Sequence, residues 1–192
     1  MRPSGLSCLT RLQELRLSDI VYAGDSVQQR ARELLAALQQ LTQLQHLQLN
    51  SCHLHTLEPH PDNQLQQQEF DRLSCFSALT ASTQLTALIL KQWNHVPVPQ
   101  AAFDHIFPGD CVVPHLKVLS LTSYGFRHCV EAAQVARIAA SCPALQELTL
   151  QGVTPRGFDV SYLMQLPLGV ERVEGLGWTR PSPAGLGIVP AE

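Results

Sequence analysis

The chain has 192 residues, a formal net charge of −3 with histidine neutral, 45% hydrophobic residues and 15% charged residues. That length carries one good core, and the apolar share excludes a disordered chain. The only lysines are Lys91 and Lys117, so no basic tract exists to neutralise a run of phosphates, and no apolar run reaches the roughly 20 residues of a membrane-spanning helix.

Residues 1–5 contain no apolar stretch of the secretory type. The six cysteines, at 8, 52, 75, 111, 129 and 142, are scattered rather than paired. They read as reduced thiols, which points to a cytoplasmic protein. No polar cap precedes Leu6, Leu9 and Leu12. The expectation is that the chain continues into further repeats or packs this edge against another molecule.

The first recurring stretch is Leu12, Leu15, Leu17 and Ile20. It returns most cleanly at 44–52, where Leu44, Leu47, Leu49 and Cys52 hold the same spacing. Further copies are Leu85, Leu88, Leu90 and Trp93; Leu116, Leu119, Leu121 and Tyr124; and Leu145, Leu148, Leu150 and Val153. The anchors 15, 47, 88, 119 and 148 are 32, 41, 31 and 29 residues apart, and a degenerate sixth copy uses Val170 and Val173. The step Leu-x-Leu puts both leucines on one face of a strand. A single strand cannot bury them, whereas stacked parallel copies close a shared core.

Between the copies, residues 25–41 read as a helix capped by Asp25 or Ser26. Its inward stripe is Val27, Ala31, Leu34, Leu35, Leu38 and Leu41, with Arg30, Arg32 and Glu33 outward. Residues 53–61 read as a loop and 64–75 as a helix anchored by Leu65, Phe70 and Leu73. This long insertion is expected to shape a rim. Residues 94–115 read as loop with a helical turn near Gln100–Ile106. Residues 127–142 read as a helix with Ala132, Val135, Ala139 and Cys142 inward, broken by Pro143. A last short helix is expected around Tyr162, Leu163, Leu166 and Leu168, and a last strand over 170–173. The domain is set at 1–178, and 179–192 as a disordered Pro/Gly-rich tail.

The pattern L-x-x-L-x-L-x-x-(N/C) resembles a leucine-rich repeat. The stretches 141–150 and 41–52 resemble its cysteine-containing class, familiar from the substrate-recognition domains of F-box proteins. The helix-bearing units are also similar to the ribonuclease-inhibitor type. The resemblance covers roughly residues 6–153. It implies an α/β leucine-rich repeat solenoid, a right-handed horseshoe of five to six units with parallel strands on the concave side and helices or loops on the convex side. It also implies a protein-binding role, one version being the substrate-recognition part of an F-box-type ubiquitin ligase. No F-box precedes the repeats in this sequence.

Other constellations carry less. Cys52-His53-Leu54-His55 with His60 falls short of a tetrahedral metal site. His128-Cys129 with Cys111 lacks an orienting third group. Asp104-His105, Asp19, Asp71, Glu131 and Asp159 show no acid–base pairing. Gly175-Leu176-Gly177 lacks the context of a phosphate loop. No enzyme, cofactor or metal is expected.

The non-leucine strand positions face away from the core. They are Glu14, Arg16 and Ser18; His46, Gln48 and Asn50; Ala87, Ile89 and Lys91; Val118, Ser120 and Thr122; Glu147, Thr149 and Gln151. Ile89, Ala87 and Val118 form an apolar centre within a polar rim, the layout of a protein-binding surface. His46 is an expected source of pH sensitivity. The expected partner is a protein, with neither nucleic acid nor membrane.

Overall fold

A computed structural model describes residues 9–19, 27–51, 75–91, 100–108, 112–122, 130–152, 154 and 158–181. Among these residues seven strands form one open α/β sheet in chain order: β1 (Glu14–Ser18), β2 (His46–Asn50), β3 (Ala87–Lys91), β4 (Val118–Thr122), β5 (Glu147–Gln151), β6 (Arg172–Glu174) and β7 (Trp178–Thr179). The first six are parallel. The seventh turns back antiparallel to β6.

Register follows the leucines. Leu15, Leu47, Leu88, Leu119 and Leu148 pair in succession, with Val173 next after Leu148. Leu17, Leu49, Leu90, Leu121 and Leu150 make the second row. All are buried except Leu17, which is half-buried at the first strand. Each buried leucine contributes roughly 1.5–3 kcal/mol of transfer free energy.

A turn precedes each of the first six strands. Its closing bonds run from the amides of Leu12, Leu44, Leu85, Leu116, Leu145 and Val170 to the carbonyls of Leu9, Leu41, Ser82, Val113, Cys142 and Pro167. One carbonyl then accepts two amides from the next unit. Gln13 O takes Gln45 and His46, Gln45 O takes Thr86 and Ala87, Thr86 O takes Lys117 and Val118, and Lys117 O takes Gln146 and Glu147. These bonds satisfy backbone groups that a bend would otherwise strand in the interior.

On the leucine side of the sheet lie α1 (Val27–Gln39), a 3-10 segment at Cys75–Thr80, α2 (Gln100–Ile106), α3 (Ala132–Ser141) and a second 3-10 segment at Val160–Gln165. Leu34, Leu35, Leu38, Phe76, Phe103, Val135 and Ile138 join the strand leucines in one buried core. The rings of Phe103 and Phe107 pack with their centroids 5.5 Å apart, tilted by 43°. Polar ties hold the layer. Ser82 Oγ lies 2.7 Å from Leu44 O and 2.9 Å from Thr42 O, and Thr80 Oγ1 donates to Ile106 O at 2.6 Å. Asp104 on α2 receives Gln134 Nε2 at 3.4 Å and faces Arg137 at 3.5 Å, both on α3.

Several expectations need correction. In α3 the buried residues are Gln134, Val135, Ile138 and Ser141, whereas Ala132 and Ala139 are only half-buried. Ile138, one position before Ala139, is the fully buried apolar residue of that turn. The last short helix, expected around Tyr162, Leu163, Leu166 and Leu168, is a 3-10 segment that ends at Gln165; Leu163 and Leu166 are buried, and Leu168 lies beyond it, 85% exposed. Thr179 and Arg180, assigned to the tail, belong to the closing hairpin. Expectations for Ile20, Cys52, Trp93, Tyr124 and Val153, for the 53–74 insertion, for Cys111, His128 and Cys129, and for 182–192 lie outside the described residues.

Candidate functional site

Since leucines fill one side of each strand, the alternate positions form the other side. Parallel register aligns them into rows. One row is Glu14, His46, Ala87, Val118 and Glu147. The next is Arg16, Gln48, Ile89, Ser120 and Thr149. The third is Ser18, Asn50, Lys91, Thr122 and Gln151. β6 extends the middle row, with Glu174 beside Thr149.

Depth varies across the face. Glu14, Arg16, Lys91, Glu147 and Gln151 are exposed, and His46, Gln48, Asn50, Ile89, Val118, Thr122 and Thr149 are half-buried. Ala87 and Ser120 are each only 7% exposed. They are small residues on central strands, overshadowed by longer neighbours, so they form a floor rather than a contact surface. Ile89 and Val118 therefore carry the accessible part of the apolar centre.

Local pairing uses up some of the polar groups. Arg16 forms an ion pair with Glu14 along β1. Asn50 Nδ2 donates to Ser18 Oγ at 3.3 Å, and Ser120 and Thr122 hydroxyls lie 3.5 Å apart. His46 Nε2 is enclosed without a hydrogen-bond partner among the described residues.

The sheet face does not stop at Gln151. Arg172 and Glu174 flank the inward Val173 as the polar residues of the other strands flank their leucines. Arg172 pairs with Glu174 at 2.8 Å, and Thr149 Oγ1 donates to Glu174 at 3.4 Å. Between β5 and β6 the surface opens into a groove of about 350 Å³ lined by Glu147, Thr149, Glu171, Arg172 and Glu174 together with Gln146 and Gly169. Glu171, Arg172 and Glu174 are absent from the sequence-predicted set. The usable signal was the valine pair at 170 and 173, whose flanking positions could have been assigned as in the other copies.

Among the described residues no group of three or more His, Cys, Asp or Glu is placed to hold a metal ion, and no helix is long and apolar enough to cross a membrane. Gly175-Leu176-Gly177 forms the turn between β6 and β7, with positive φ at both glycines. No family model matches the chain, and no curated protein or solved structure shows significant similarity to it.

Proposed function

We propose that the chain is a leucine-rich repeat module, a right-handed solenoid of five to six units, that recognises a partner protein on the open face of its sheet. It works without catalysis or cofactor, in the cytoplasm. The observation that carries this reading is the identical local geometry of successive units. Each of the first five has the same turn and the same leucine register, successive ones are joined by the same two-amide carbonyl, and each leaves its alternate side chains in rows on the face opposite the leucines.

Such a face suits recognition for two reasons. The strands are held from behind by a continuous core, so the surface is formed before the partner arrives and little ordering entropy is lost on association. The side chains combine an apolar centre at Ile89 and Val118 with hydrogen-bonding groups around it, which matches the core-and-rim anatomy of protein interfaces. The buried thiol of Cys142 in its turn supports the cysteine-containing class of repeat.

Affinity capture with three forms of the chain tests the proposal. Proteins retained by the wild type should be lost with Ile89→Glu and kept with Arg32→Glu on the outer side of α1. Retention that is indifferent to Ile89, or abolished by Arg32→Glu alone, contradicts it.

A further inference from the structure

Resting on that recognition reading, we propose that the face takes an extended segment of a partner protein that carries a lysine or arginine three or four residues from an aliphatic anchor. The aliphatic side chain sits on Ile89 and Val118. The basic one enters the groove between β5 and β6.

Charge balance around the groove selects the partner. Arg172 is matched by Glu174. Glu147 and Glu171 are exposed and make no ion pair among the described residues. Arg172 lines the same groove of about 350 Å³ and, one step before the Leu148–Val173 pair, stands opposite Glu147, so three glutamates share one arginine and the groove keeps a net negative charge. A guanidinium or ammonium from a partner supplies the missing charge, and Thr149 and Gln146 offer hydrogen-bonding groups beside it. An acidic segment would meet like charge there, which disfavours it. Lys91 stands exposed on β3 itself, so it repels a basic group from the anchor end and favours its placement toward β6.

Spacing follows from the sheet. Neighbouring strands lie about 4.8 Å apart, so β3 is roughly 10 Å from β5 and roughly 14 Å from β6. An extended chain advances about 3.3 Å per residue. A segment crossing the strands therefore covers the distance from Ile89 to the groove in about three to four residues.

The probe is a displayed library of random ten-residue peptides, selected on the wild-type chain and recovered as individual labelled peptides. The expected result is enrichment of Arg or Lys three or four positions from an aliphatic residue, in either direction. Such peptides should bind roughly threefold to tenfold more weakly to the double variant Glu147→Gln, Glu171→Gln, lose binding with Ile89→Glu, and weaken with added salt. Both glutamates are exposed, so unfolding of the double variant should match the wild type. Selected peptides that need Ile89 but show no basic excess, or bind the double variant equally, overturn this inference and leave the recognition reading standing. Basic peptides that bind Ile89→Glu as well as wild type overturn both. Failure of the library to yield any binder overturns the linear-segment proposal alone.

Discussion

Leu88 and Ile89 are adjacent in sequence and lie on opposite sides of one strand. Leu88 has no exposed surface, and Ile89 is half-buried on the open face. This alternation was readable because the Leu-x-Leu step recurs at a fixed place in each copy. The depth of Ala87 and Ser120 was not readable, because it depends on the length of side chains in adjacent strands. At this scale the expected costs diverge sharply. Leu119→Ala empties a site packed on all sides and should cost about 2–5 kcal/mol in denaturant unfolding, whereas Thr149→Ala should stay within roughly 0.5 kcal/mol. Glycines in the β6–β7 turn give a second contrast. Gly175 has φ +89°, and a Cβ there would stand 2.5 Å from Leu150 O. Gly177 has φ +64° with open space around it. Gly175→Ala should therefore lower the unfolding midpoint clearly more than Gly177→Ala, which meets only the backbone strain of about 1–2 kcal/mol.

The end of the sheet is fastened by one side chain. Arg180 Nε donates to Val170 O at 3.0 Å, and Nη2 donates to Leu166 O at 2.9 Å and Pro167 O at 3.0 Å. Its guanidinium also lies 5.5 Å from the centre of the Trp178 ring. Arg180→Ala should cost about 1–3 kcal/mol. Amide hydrogen exchange should rise at residues 170–178 while β2–β4 keep their protection. Elements built on a strong stripe were legible, and the Gln100–Ile106 turn appeared with those bounds. On α3 and its C-terminal end, Val135 and Cys142 are buried as expected, whereas Ile138 takes the depth expected of Ala132 and Ala139, because only packing decides between neighbouring apolar positions. The β6–β7 hairpin was missed because proline and glycine just beyond it read as tail.

The second 3-10 segment adds a pH-dependent element. Asp159 Oδ1 accepts from the Ser161 amide at 2.9 Å, and that bond holds its carboxyl below the ordinary aspartate range. A depressed value in the folded chain means the cap helps above the unfolded pKa and is lost as pH falls through the folded one. NMR titration should show the Asp159 midpoint below that of an unfolded peptide, with the Ser161 amide shifting in step. Asp159→Asn should abolish that shift.

For the molecule as a whole, one continuous core links successive units through the leucine rows. Units that touch only their neighbours should share stability along the stack, and a loss at its centre should weigh more than one at its margin. Leu47 lies between two strands and is 1% exposed, whereas Leu15 on the first strand is 7% exposed with β2 as its one strand neighbour among the described residues. Recognition on the sheet depends on which side of the strands faces outward. Denaturant unfolding of Leu88→Glu beside Ile89→Glu measures this most directly. Leu88→Glu should abolish the cooperative transition, and Ile89→Glu should retain it with a midpoint close to wild type. Comparable loss in both, or loss in Ile89→Glu alone, would contradict the outward face and the recognition surface built on it.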